Sequence, residues 1–550
     1  MLKLKNTTTN DKINIFFILL ASLFFILSVA FGSITFLDYK KAEKISQIEN
    51  SKLDALKSKL EKTSSLKPIE GNDTNVVKML LKILGKSDDE VKVDITDTSS
   101  PQISKDGSII YGSSKTDVTI NVTVVIASGN LSFAKDLTVL IPKKAIKPTP
   151  TERSVSVRDY DAKGDGIADD TLKIQRAIDY ISSVGGGTVN IPSGTYIINP
   201  DVSINMKSSI QLSLSSDAIL KSSSSSKVNS EVINIIDVNN VNIIGGKIIG
   251  DRYIHTGTGG EWGMGVNIEK SSNVKISDIN ITNCWGDGIY IGGESSNGVV
   301  IDGVISDNNR RQGLSITNAK NVTITSSEFK NTNGTLPQAG IDLEPNPGQT
   351  VEDIKIDNIK SIGNKGSGVD ILGMNGPVRR VKISNSVLQD NAGIGVMMSS
   401  ANDIALTNDV IRNSTFGIEV KNDVYNVVAS GLDISYNQSR GVSLVSNNQK
   451  VGIENILFKD TTVANNSQRS PGKADGVRID AYDSTGYIKN VKFMNTKFID
   501  NQKSHTQSFG LTVGNSKLIS DITLYADCVF SGNISGGLHS AVPISQNVPR

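Results

Sequence analysis

The feature that most constrains this 550-residue chain is a phrase that keeps returning: "NVKISDINITN", "GVVIDGVISDN", "NVTITSSEFKN", "DIKIDNIKSIGN", "RVKISNSVLQDN" and "DIALTNDVIRN", with starts some 22 to 35 residues apart. Each period holds a short apolar strand, and no helical pattern separates one from the next. A unit of this kind cannot bury its apolar side alone. Successive units must stack so that one core runs through all of them, which predicts a β-solenoid. Leu, Ile and Val alternate with polar residues inside each phrase, so the walls are expected to be half buried. The asparagines just before the turns read as a stacked structural ladder.

A glycine followed by an apolar residue supplies a second period, at Gly265-Val266, Gly288-Ile289, Gly313-Leu314, Gly340-Ile341, Gly368-Val369, Gly395-Val396, Gly417-Ile418 and Gly441-Val442. Coils aligned on this step stack equivalent residues about 4.8 Å apart. Three positions before the glycine stand Trp262, Trp285 and Arg310, so the only two tryptophans of the chain fall in register. One position before it stand Met264, Asp287 and Gln312. Two positions after it, on the outward face, stand Asn267, Tyr290, Ser315, Asp342 and Asp370, with Glu344 two residues beyond Asp342. The step from asparagine to glycine is four residues at Asn364, Asn391, Asn413 and Asn437, five at Asn283 and Asn308, and nine from Asn331 to Gly340. An insertion, "GDRYIHTGTGGEWG", carries His255 and Glu261 into the first of these coils. Extra chain on a rigid repeat is where binding and catalytic groups collect, so turn length and register single out the same patch.

The residue types in that patch suit a sugar. Trp262, Trp285 and Tyr290 offer aromatic faces to the apolar faces of sugar rings. Arg310 and Arg311 are forked donors for carboxylates or hydroxyls, Glu261 adjoins them, and His255 sits in a loop beside the patch as a possible proton carrier. Asp287, Asp342, Glu344 and Asp370 are carboxylates whose pKa values can be pushed apart, so that one serves as acid and another as base. The duller alternatives stay open: tryptophans in the core, arginines in a surface ion-pair network, His255 as a polar loop residue, and Asp342 and Asp370 as an acidic ladder or a calcium site.

From Val155 the chain reads "VRDYDAKGDGIADDTLKIQRAIDYISSVGGGTVNIPSGTYII": strand, glycine turn, capped helix, glycine run, strand. This segment resembles the opening of the pectate-lyase-superfamily β-helix proteins. The resemblance implies a right-handed, single-stranded parallel β-helix over residues 155–550, with the helix covering one apolar end and Asp165, Asp169 and Asp170 as turn and cap residues. It also implies polysaccharide chemistry: hydrolysis, lyase elimination or uronate epimerisation. "GDGIYIG", followed one coil later by "RRQGLSI", sits where the polygalacturonase- and rhamnogalacturonase-like hydrolases carry a Gly-Asp-Asp turn and then a Gly-His-Gly turn. Asp287 matches the first aspartate; the second is Gly288, the histidine position is Gln312, and no downstream Arg-Ile-Lys appears.

The remaining chain sets compartment and presentation. Residues 13–37 carry no charge over 25 positions, enough to cross the ~30 Å hydrocarbon layer. Lys3, Lys5 and Lys12 ahead of them favour a cytoplasmic tail at 1–12; the small-x-small site Ala30-Phe31-Gly32 leaves a cleaved signal peptide open. Ile45, Ile48, Leu53, Leu56 and Leu60 predict a helical stalk over 38–67. Within a spacer at 68–145, residues 92–142 alternate as strands, and "ISKDGSIIYGSSKTDVTINVTVVIASGNLSFAKDLTVLIP" resembles the atrophied bacterial immunoglobulin-like domain, followed by a Pro-containing linker at 146–154. With 57 Lys+Arg against 56 Asp+Glu, no global field would hold nucleic acid. Cys284 and Cys528 make neither a disulfide framework nor a zinc site. The sequence therefore predicts a membrane-anchored, extracellular, all-β protein that acts on a polysaccharide without a cofactor. Hydrolysis through paired carboxylates leads; a lyase or epimerase, and a tail-spike-like glycan binder, are the alternatives.

Overall fold

The structure, a computed structural model, describes residues 153–547 apart from 448–450, 483–485 and 515, together with much of 40–141. The expected tail at 1–12, the membrane span at 13–37 and most of the 146–154 linker lie outside the described residues. Among those described, no helix is long and apolar enough to cross a membrane. The chain divides into two units, residues 1–149 and 150–550.

In the larger unit each coil gives one strand to each of three walls, all paired in parallel with the next coil. One coil runs through Asn280–Thr282, Ile289–Gly292 and Ser296–Asp302. The glycine step gives the register correctly: Val266, Ile289, Leu314, Ile341, Val369, Val396, Ile418 and Val442 pair in sequence up one wall. All eight are buried, and each such side chain withdrawn from water stabilises the solenoid by about 1.5–3 kcal/mol. The glycines are needed for close approach. A Cβ at Gly288 would lie 2.2 Å from Ser306 Oγ and 2.7 Å from the Gly313 carbonyl, so the second aspartate of the polygalacturonase pattern has no room at this turn.

Asparagine ladders exist, but there are two. Asn283, Asn308, Asn331 and Asn413 form an outer column with left-handed backbone, φ between 55° and 59°. One residue later runs a buried column of Cys284, Asn309, Thr332, Asn364, Asn391, Ser414, Asn437, Asn466 and Gln507, whose asparagine and glutamine side chains accept from the backbone N–H of the coil before, as Asn309 does from Cys284 at 2.9 Å and Asn391 from Asn364 at 3.1 Å. Turn length therefore does not set the coils of Asn283 and Asn308 apart. Counted from the buried column, the coils of Cys284 and Asn309 reach their glycines in the same four residues as Asn364 and Asn391; only the passage to Gly340 is long among the coils singled out.

At one end the helix Thr171–Ser183 lays Ile174, Ala177, Ile178 and Ile181 against the first coils. Asp165, Asp169 and Asp170 all accept backbone N–H groups of their own turn, as the resemblance implies.

The smaller unit departs from expectation. Lys92–Thr98, Val118–Ser128 and Leu131–Ile141 form an antiparallel meander, and Ser65–Leu66 joins Leu131–Ile141 in parallel. This is one four-stranded sheet with the helix Val76–Leu84 buried against the same core, not two facing sheets, so the immunoglobulin-like reading of 68–145 finds no support. Nor are residues 50–61 a solvated stalk. They are helical, but Leu56 and Leu60 enter the core of the unit, and Lys59 Nζ caps the Leu84 carbonyl at 2.6 Å. The break in the apolar stripe marks where burial begins: Ile48 is exposed, Leu53 and the leucines after it are not.

Candidate functional site

The outward row of the glycine-step wall runs Asn267, Tyr290, Ser315, Asp342, Asp370 in register. It is outward from the core yet mostly covered. Asp342 is 3% and Asp370 6% exposed, and Asp287, in the turn entering the wall, is 0%.

Asp287 is locked. Arg311 Nη1 donates to both its oxygens at 3.0 and 3.3 Å, and Ser315 Oγ donates to Oδ2 at 2.7 Å. Burial still pushes its carboxyl up to about 6, against the pull of Arg311 and Ser315. Arg311 Nε lies 3.2 Å from Glu261 Oε2, so one guanidinium ties the insertion to the turn.

Asp342 is held differently. Gln312 accepts from Ala339 N at 2.8 Å, which fixes its amide, and donates through Nε2 to Asp342 Oδ2 at 2.6 Å. Oδ1 is buried with no hydrogen-bond partner among the described residues. Burial, and then the charges of Asp370 and Glu344, hold Asp342 well above the usual carboxylate range. Asp370, one coil on, is pushed up to about 6 by burial, with Ser367 opposing and Glu344 assisting. Burial and repulsion thus favour one protonated and one ionised carboxyl over two charges. With Oδ2 accepting from Gln312, a proton on Asp342 belongs on Oδ1, which no described residue hydrogen-bonds. Glu344 is half-buried beside them.

The tryptophans part company. Trp285 is stacked between the His255 ring, 4.1 Å away and 13° from parallel, and the Arg310 guanidinium at 3.8 Å. Both its faces are occupied, so it is not a sugar platform. His255 is fully buried as a side chain, with Nδ1 2.6 Å from Asp251 Oδ2; it is a clasp for the insertion rather than an open proton carrier. Arg310 donates to the carbonyls of Gly260 and Trp285 and is likewise committed. Trp262 stays 46% exposed and, with Asn229, Glu231, Met264, Asn267, Glu269 and Tyr290, lines an open groove of about 220 Å³.

Glu231 and Glu269 were not singled out in the sequence, although the register contains them. Glu231 stands one coil before Met264 and Asp287 in the same column, and Glu269 pairs with Gly292 on the outward face. Extending the alignment one coil towards the N-terminus would have found the first. Burial raises the Glu231 carboxyl. Among the described residues no group of three or more His, Cys, Asp or Glu side chains is gathered to hold a metal ion.

Residues 154–256 match the family model "Rhamnogalacturonase A/epimerase, pectate lyase-like", and residues 309–474 match that of "Periplasmic copper-binding protein (NosD)". The uncharacterized protein YclG of Bacillus subtilis is 24% identical over 428 residues, covering 70% of this chain and 69% of the relative. Two further curated relatives are matched over only 35% and 28% of their own lengths. Among solved structures, the A-module of the mannuronan C-5 epimerase AlgE6 of Azotobacter vinelandii superposes with a TM-score of 0.52 at 17% identity, covering 72% of this chain and 99% of that one. The Dettilon tailspike protein does so at 0.50 and 15% identity, covering 71% and 69%. The pectate-lyase-like parallel β-helix expected from the sequence is the fold of this unit.

Proposed function

We propose that the β-helix unit binds a polysaccharide along the glycine-step wall and hydrolyses it with Asp342 and Asp370. The observation that carries this is the pair itself: two carboxyl groups in register on adjacent coils, one with a buried oxygen that no described residue hydrogen-bonds, on the same wall as a groove lined by an exposed tryptophan. The pectate-lyase-like family match and the epimerase A-module, whose name states a polysaccharide, support the substrate class.

In this reading Asp342 gives the proton on Oδ1 to the glycosidic oxygen as the bond to the anomeric carbon breaks. Asp370, ionised, attacks that carbon or directs water to it; water supplies the hydroxyl and returns the proton. Adjacent coils stand about 4.8 Å apart, close to the ~5–5.5 Å of carboxyl pairs that retain anomeric configuration. Asp287 then acts as a positioning residue for Arg311. Because the pair is nearly closed to solvent, a covering side chain must move when substrate arrives. That closure also favours a second reading, glycan binding without turnover.

Incubation with a polysaccharide panel separates the readings. New reducing ends without ultraviolet absorbance mean hydrolysis, absorbance from an unsaturated uronate means elimination, and retention without products means binding alone. The charge-free stretch at 13–37 supports presentation at the outer cell surface; recovery of the full chain in a soluble fraction without detergent would contradict it.

A further inference from the structure

Charge bookkeeping over the wall identifies the kind of sugar, given the glycan reading above. Glu231 and Glu269 line the groove, Glu261 stands on its rim beside Arg311, and Asp287, Asp342, Glu344 and Asp370 follow on the same wall. Two guanidiniums reach the stretch of this row from Asn267 to Asp370, and both have partners in the protein. Arg311 is bonded to Asp287 and paired with Glu261. Arg310 lies flat on Trp285 with its Nη1 on two carbonyls. Lys365, exposed, stands in the same turn column as Arg310, in the coil of Asp370. A uronate residue seated here would bring its carboxylate to a wall on which seven acidic side chains face three cations, an excess that remains with Asp342 protonated, and like charges at such spacing repel even near a surface.

The acidic side chains suit hydroxyls instead. Carboxylates accept from sugar hydroxyl groups, and the buried, unpartnered Oδ1 of Asp342 adds a position that a neutral sugar can pair with. Trp262 supplies the flat apolar surface that a pyranose presents to aromatic rings. We infer that the substrate is an uncharged polysaccharide and not a polyuronate, although uronates are the substrates that the sequence resemblance brings to mind. Elimination and C5 epimerisation, which need a carboxylate on the sugar, fall with the uronate.

The test is retention and turnover by the full chain at low ionic strength on two sets of probes: a β-glucan, a galactomannan and a xylan on one side, polygalacturonate and alginate on the other. At least one neutral polymer should be retained or cut, and neither polyuronate. A polyuronate that is retained or consumed, with Asp342→Asn abolishing its turnover, overturns this inference while leaving the carboxyl pair in place. If no polymer of either set is retained, the glycan reading fails with it. The double variant Glu231→Gln, Glu269→Gln should raise polygalacturonate retention several-fold, with the gain fading as salt is added; unchanged retention would show that charge is not what excludes the uronate, and would also overturn the inference.

Discussion

Trp262 and Trp285 occupy one turn column yet meet opposite surroundings, and substitution should tell them apart. Trp285→Ala removes the middle of the His255–Trp285–Arg310 stack and should cost about 3 kcal/mol, seen as a lowered melting temperature. Trp262→Ala should leave melting unchanged and weaken glycan retention. A drop in melting for Trp262→Ala, or none for Trp285→Ala, would reverse the assignment. The carboxyl pair predicts a pH profile of defined sign. Asp370 works ionised, so turnover should fall as pH drops through about 6; Asp342 works protonated, and since it is held well above the usual range, the alkaline fall should come later. A profile with no alkaline fall would exclude Asp342 as the acid. The row that holds these residues was legible from the glycine step alone. Their burial was not: a period-2 pattern says that a side chain points away from the core, but not what covers it, as Arg311, held by Glu261 of the insertion, covers Asp287.

Strand entry on the wall of Asn280–Thr282 is satisfied by a column of hydroxyls. Ser327 Oγ accepts from Val304 N, Ser386 Oγ from Ile359 N and Thr461 Oγ1 from Leu432 N. Asp409 takes that place between them, accepting from Ser386 N at 2.9 Å and Thr407 N at 3.0 Å, and its burial pushes the carboxyl up to about 7. A group whose folded value lies above its unfolded one favours the fold while protonated. Its contribution is complete below about pH 4 and disappears as pH rises towards 7. Asp409→Ser should therefore raise the melting temperature at pH 8 by a few degrees and shrink its difference from pH 5; an unchanged difference would contradict the assignment. The two asparagine columns show what the sequence hid at this scale. Columns one residue apart, both rich in asparagine, look like a single ladder in one sequence, and only the left-handed backbone of one and the inward bonds of the other separate them.

For the whole molecule, every coil from Ser154 onward buries its apolar residues against its neighbours in one continuous core. Stability in such a stack comes from adjacent coils, so residues 153–550 expressed alone should be folded, with a sheet-dominated circular dichroism spectrum and cooperative melting. A fragment that aggregates or shows no transition would contradict a self-contained solenoid. The repeat made this architecture readable because its period is written many times over. The smaller unit has no repeat, and its strands were read correctly as strands but assigned to the wrong arrangement, since alternation fixes neither sheet order nor the helices that cover it. The account turns on the claim that one wall of this solenoid carries a working carboxyl pair, and the most direct measurement compares Asp342→Asn with the unaltered chain on a polysaccharide that the latter cuts. The account predicts turnover lowered on the order of 100-fold or more, with melting and retention of the polymer preserved; turnover equal to that of the unaltered chain would contradict it.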